Sequence, residues 1–129
     1  MLRPKALDHV GLKVTDMDRS LRFYCDSLGL ELLRRTDRGG GVISAVLRVG
    51  KQELNVFSRA DFGTIHPDDH PVGLDHFCLE IESASIDDVA VALQQAGVPI
   101  AKGPVRRRDG ASLFVEDPDG CRVELIVKI

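Results

Sequence analysis

Between Asp8 and Val14 the chain alternates: Val10, Leu12 and Val14 fall on one face, and His9, Gly11 and Lys13 fall on the other. This two-residue period predicts a strand with one packed face and one face of different character. Thr15 and Asp16 then offer an N-cap, and Leu21, Tyr24 and Leu28 recur at helical spacing until Gly29, which suits the position just past a helix end. Three β segments follow at residues 31–36, 42–49 and 52–57, with Gly39-Gly40-Gly41 and Gly50-Lys51 as the turns between them. The order is βαβββ. Residues 58–73, "SRADFGTIHPDDHPVG", carry Pro, Gly and Asp without a period and read as a connection.

The pattern then begins again. "LDHVG" at the head of the first strand returns as "LDHFC", so that His76 stands sixty-seven positions after His9. Phe77, Leu79 and Ile81 form the packed face of this strand, while His76, Cys78 and Glu80 lie opposite. Ser85 with Asp88 makes a start like a capping box for a helix bearing Val89 and Leu93, which Gly97 ends. Short strands follow around Ile100, at residues 112–116 and at residues 122–128, with "DPDG" as a hairpin turn. Two copies do not make a stacking array, which needs three or more units, and 129 residues suit a single domain. The expected fold is α+β: two tandem βαβββ modules, about 7–57 and 74–128, forming a curved mixed sheet with helices on the outer face. A concave polar face is left on the other side.

Composition changes this picture little. Hydrophobic residues at 43% and charged residues at 29% are near globular averages. A net charge of −3 comes without a basic face, and Arg106-Arg107-Arg108 reads as a solvated loop, so no nucleic-acid partner is expected. No window approaches the ~18 apolar residues of a membrane span, and the N-terminus lacks a cleavage pattern. Three cysteines, Cys25, Cys78 and Cys121, form no C-x-x-C and fit reduced thiols. A cytoplasmic protein is expected.

Candidate chemistry lies on the polar face. His9 and His76 occupy the same place in each module, and on the last strand Glu124 lies opposite the packed Val123, Leu125 and Val127. A single strand histidine is most often a hydrogen-bonded structural residue. Two at equivalent points of a repeat, with a carboxylate facing the same way, form the set that holds a divalent Fe, Mn, Ni, Co or Zn ion and leaves positions open for substrate. His66 and His70 read as ordinary loop residues. Cys78 shares the His76 face as a small buried hydrophobe rather than a nucleophile, since no activating partner is evident. Phe57 and Phe114 are candidates for an apolar pocket wall.

Three phrases, "LDHVGLKVTDMDRSLRFYCDSLGLEL", "LDHFCLEI" and "VEDPDGCRVELI", in this order, resemble the vicinal oxygen chelate superfamily of glyoxalases, bleomycin-resistance proteins and extradiol dioxygenases. The resemblance runs from about Leu7 to Val127. It implies that His9, His76 and Glu124 are metal ligands, and that the metal acts as a Lewis acid on a small substrate chelated through vicinal oxygens. It also implies a homodimer. Glyoxalase and epimerase relatives add a fourth ligand on the last strand of the first module, here "KQELNVFS", where Glu53 and Asn55 both point away from Leu54 and Val56. The two modules have hairpins of different length, which leaves the choice open; Glu53 would serve as fourth ligand or proton shuttle, Asn55 would leave three ligands. The fosfomycin thiol transferases are a poorer match, with Gly11 and Phe114 where Thr and Tyr are expected. The resemblance thus implies a lyase, isomerase or dioxygenase, with a metal-free protein that sequesters a drug or metabolite as the alternative.

Overall fold

The alternation around His9 becomes strand β1, His9–Val14, and its echo becomes β5, His76–Glu80. The computed structural model describes residues 1–69 and 72–129, which divide into two compact units, Met1–Gly63 and Thr64–Ile129. Each unit holds one βαβββ module, so the expected tandem is built as two four-stranded mixed sheets. His70 lies outside the described residues.

In the first unit β1 leads to helix α1, Met17–Leu21, and then to β2, Glu31–Gly39, β3, Val42–Val49, and β4, Gln52–Ser58. The Asp16 carboxylate caps α1 by accepting from the Arg19 backbone N–H at 3.1 Å. Beyond Leu21 the helix widens into a π-helical stretch, Arg22–Ser27, in which the Leu28 N–H donates to the Phe23 carbonyl five residues back. The apolar spacing of Leu21, Tyr24 and Leu28 is compatible with either turn, so sequence periodicity does not separate them. The strand order is β1-β4-β3-β2, with β1 and β4 parallel and the other neighbours antiparallel. Leu12, Val14, Ala45, Leu47, Leu54 and Val56 are all buried on one face, and α1 packs against β4.

The second unit repeats this with α2, Ile86–Gln95, β6, Lys102–Arg107, β7, Gly110–Glu116, and β8, Arg122–Lys128, in the order β5-β8-β7-β6. The Ser85 hydroxyl accepts from the Asp88 backbone N–H at 3.2 Å and starts α2. Leu79, Leu113, Val115, Val123 and Leu125 form the packed face with Val89 and Leu93 of the helix, each large side chain contributing roughly 1.5–3 kcal/mol by burial. The arginine triple is exposed, as expected, and Arg108 lies in a turn, but the other two belong to a strand. Arg106 and Arg107 pair with Ala111 and Gly110 in β6, an edge strand, where a charged composition is tolerated because only one side is hydrogen-bonded.

"DPDG" is the expected hairpin turn, and it is also an anchor. The Asp117 carboxylate accepts from the backbone N–H groups of Asp119 and Cys121 at 2.9 and 2.8 Å, and the Ile65 N–H donates to the Asp119 carbonyl at 2.9 Å. Gly120 has φ +88, and a Cβ there would stand 2.5 Å from the Ile65 carbonyl oxygen, so both conformation and space require glycine. No helix among the described residues is long and apolar enough to cross a membrane. All three cysteines are free thiols.

Candidate metal centre

Each candidate histidine is oriented by the residue before it. His9 Nδ1 lies 2.8 Å from an Asp8 carboxylate oxygen, and His76 Nδ1 lies 2.8 Å from an Asp75 oxygen. An imidazole that donates through Nδ1 keeps its lone pair on Nε2, the arrangement that carboxylate partners impose on metal-binding histidines. Asp75 is itself held by Arg122 Nη1 at 3.5 Å, and Arg122 Nη2 reaches Asp68 at 3.3 Å. The hydrogen bond with His76 keeps the Asp75 pKa below the usual carboxylate range, with smaller help from Arg122. The repeated Leu-Asp-His word therefore repeats a dyad, and the aspartates are part of what the sequence signal encodes.

In the second unit the structure brings two of the three expected ligands together. His76 Nε2 stands 3.0 Å from Glu124 Oε2, a separation that a hydrogen bond spans without metal and that a shared cation would also fit, since two donors about 2.1 Å from one ion at about 90° lie about 3.0 Å apart. The Glu124 side chain is only 12% exposed. Burial alone would raise its pKa, but a hydrogen bond with Ser112, the Arg107 guanidinium and His76 outweigh burial and hold it below the ordinary value. Arg107 Nη2 is 3.3 Å from Glu124 Oε1, and Arg107 Nε donates to the Ser112 hydroxyl at 2.9 Å. Glu124 thus stays an anion fixed from several sides.

Around this pair, Phe114 packs edge-on against the His76 ring, with centroids 5.2 Å apart, and Lys102 and Arg107 each approach its ring to 5.8 Å. Phe114 is therefore a wall of the site. Cys78 lies level with Glu124 on the neighbouring strand and is exposed rather than buried; partial desolvation and the Glu124 charge push its thiol up to about 11, which argues against a nucleophile. His66 lies in the connecting loop, 3.6 Å from Asp68 and 3.5 Å from Glu116.

The third expected ligand, His9, is in the first unit, where it lies level with Glu53 on β4, while Gly11 lies level with Asn55. In the second unit the parallel register sets His76 level with Arg122 and Cys78 level with Glu124. Asn55 is thus the counterpart of Glu124, and Glu53 the counterpart of Arg122. The order of partners across β3 agrees, because Val46 lies level with Asn55 as Phe114 does with Glu124. Among the described residues no three His, Cys, Asp or Glu side chains gather into one group.

Sequence reasoning missed a second repeated pair. Arg38 Nε donates to the Ser44 hydroxyl at 2.8 Å, as Arg107 does to Ser112, and both serines are buried. The signal was present, since each Arg and Ser recurs at nearly the same offset as the histidines, but side-chain bonding between strands is not visible in periodicity. Beside Arg38 a cavity of about 150 Å³ opens, lined by Arg34, Thr36, Ser44, Asn55 and Phe57 among others.

Comparison with known proteins gives one consistent answer. Residues 6–125 match the model of the Glyoxalase/Bleomycin resistance protein/Dioxygenase superfamily. The chain is 34% identical to a probable lactoylglutathione lyase of Synechocystis, over 92% of each chain. It is 28% identical to a catechol-2,3-dioxygenase of Bacillus subtilis over 91% of its own length, but spans only 40% of that enzyme. Among solved structures, a glyoxalase family protein from Enterococcus faecalis superimposes with a TM-score of 0.77 at 30% identity, covering 95% of this chain and 97% of that one.

Proposed function

The chain belongs to the Glyoxalase/Bleomycin resistance protein/Dioxygenase superfamily, and from that premise we propose that it is a divalent-metal-dependent enzyme of lyase or isomerase type. Its substrate is a small molecule that offers two vicinal oxygens. His9, His76 and Glu124 hold the ion, with Fe, Mn, Ni, Co and Zn all compatible with two imidazoles and a carboxylate. The observation that carries this reading is the double dyad, two histidines each turned by its own aspartate, one of them 3.0 Å from an anionic glutamate. When bound, the metal would supply Lewis-acid stabilisation of negative charge on the substrate oxygens.

The protein's own groups would do the rest. Asp8 and Asp75 hold the imidazoles in the ligating tautomer, and Arg107 with Ser112 keeps Glu124 ionised and aimed. Phe114 packs edge-on against one side of the His76 ring and limits its rotation. Glu53, level with His9 on the adjacent strand, is the carboxylate of that face able to carry a proton to or from substrate carbon. A homodimer in the cytoplasm completes the reading.

One observation favours a second reading. Asn55, an amide, occupies the counterpart of the Glu124 position, which suits a three-ligand centre such as a small dioxygenase more than a site with a ligating base. Metal analysis of purified protein tests the common core: about one divalent ion per chain is expected, with less than a tenth retained in His9→Ala and in His76→Ala. Stoichiometric metal that survives both substitutions ends the assignment, and a metal-free protein that still binds small organic molecules points to sequestration instead. Glu53→Gln then separates the two enzyme readings, since it abolishes proton transfer in the first and leaves a dioxygenase active.

A further inference from the structure

The open face of module one differs from that of module two at one decisive place. In module two the Arg107–Ser112 unit faces a carboxylate, Glu124. In module one the Arg38–Ser44 unit is built the same way, with the guanidinium Nε fixed on a buried hydroxyl, but the counterpart of Glu124 is the neutral Asn55. Arg38 and its neighbour Arg34 form no ion pair among the described residues, whereas Arg35 and Arg48 on the same sheet are paired with Asp18 and Glu31. The Oδ1 atom of Asn55 is buried and accepts no hydrogen bond from the described residues. Both features border the same cavity of about 150 Å³.

We infer that this cavity is a carboxylate subsite, in which Arg38 and Arg34 hold the carboxylate of a small hydroxycarboxylate while Asn55 Oδ1 accepts a hydrogen bond from its hydroxyl. A guanidinium fixed at Nε presents its remaining N–H groups as a fork, which matches a carboxylate's two oxygens. Module two displays the same unit already engaged with a carboxylate. The buried acceptor of Asn55 calls for a donor, because an unmet buried carbonyl costs the full desolvation penalty; a hydroxyl next to the carboxylate supplies one. The cavity's small volume and the Phe57 side chain at its edge select a compact ligand. This deepens the enzyme reading by naming a substrate class, and rests on that reading only in calling the ligand a substrate.

The test is a titration of the metal-free, full-length protein with glycolate, followed by backbone NMR, with glycolamide and methyl phosphate as comparison probes. Glycolate is expected to shift the resonances of Arg34, Arg38, Ser44 and Asn55 saturably, and glycolamide to bind at least about tenfold more weakly, as loss of a charged hydrogen-bond partner requires. Arg38→Met, or Arg34→Met should the first not fold, is expected to weaken glycolate by about tenfold or more while Arg59→Met leaves it unchanged. Equal binding of glycolate and glycolamide, tighter binding of methyl phosphate, or an unaltered affinity in folded Arg38→Met would overturn the subsite. Metal content is measured on the same samples. A protein that binds metal but fails these titrations loses the subsite and keeps the metal centre; one that binds glycolate as expected but no metal loses the metal centre and keeps the subsite.

Discussion

The open faces of the two modules share a plan and differ in charge. Both carry an Asp-oriented histidine at the head of the first strand and an arginine fixed to a buried serine across the sheet. Module two places a carboxylate between them, Glu124, and the face closes on itself through His76 and Arg107. Module one places an amide there, Asn55, and among the described residues Arg34 and Arg38 beside it form no ion pair, while Arg35 and Arg48 are paired elsewhere. One residue at one register position therefore separates a face that carries a carboxylate from a face that carries an amide.

The sharpest way to break this comparison is to remove the orienting aspartates. Asp75→Asn and Asp8→Asn are each expected to weaken divalent metal about 10–100-fold in a competitive chelator titration, because the amide can turn its N–H groups toward Nδ1 and favour the wrong tautomer. If only Asp75→Asn has an effect, module one contributes no ligand. Next in size is Asn55→Glu, which gives module one the charge pattern of module two. Glycolate affinity is expected to fall by about tenfold or more, since the new carboxylate occupies the Arg38 guanidinium.

Smaller effects sharpen the same contrast. Ser112→Ala removes a hydroxyl on which both Arg107 and Glu124 depend, and should cost about 1–2 kcal/mol in urea unfolding while letting the Glu124 pKa rise toward its ordinary value. Ser44→Ala, with no carboxylate depending on it, should cost about half as much. The smallest effect concerns a surface pair. Arg35, 2.6 Å from Asp18, lowers the Asp18 pKa by hydrogen bond and charge, so the pair stabilises the fold above the unfolded carboxylate's pKa and ceases to do so as pH falls through the lowered value. Arg35→Ala is expected to lower Tm slightly at pH 7 and not at all once Asp18 is protonated in both proteins.

Much of this was legible in the sequence because it rests on local rules. Alternation placed His9, His76 and Glu124 on polar faces, and caps at Asp16 and Ser85 with closing glycines fixed both helices. What was not legible depended on pairing between strands. Whether Glu53 or Asn55 matches Glu124 follows from the β1–β4 register, and the unequal hairpins hide that register from counting. Arg106 and Arg107 read as loop because a charged run after Gly103-Pro104 lacks alternation, and only backbone pairing with β7 makes them a strand, with Arg108 in the turn beyond. The repetition of Asp8 and Asp75 directly before the two histidines carries the dyads in plain view.

The central proposal is that His9 and His76 both serve as metal ligands. Pulsed EPR of the protein loaded with one equivalent of Cu²⁺ counts coordinated imidazoles directly. Two are expected in the wild type and one in each of His9→Ala and His76→Ala. A wild-type spectrum with a single imidazole, or one unchanged by His9→Ala, would contradict the account.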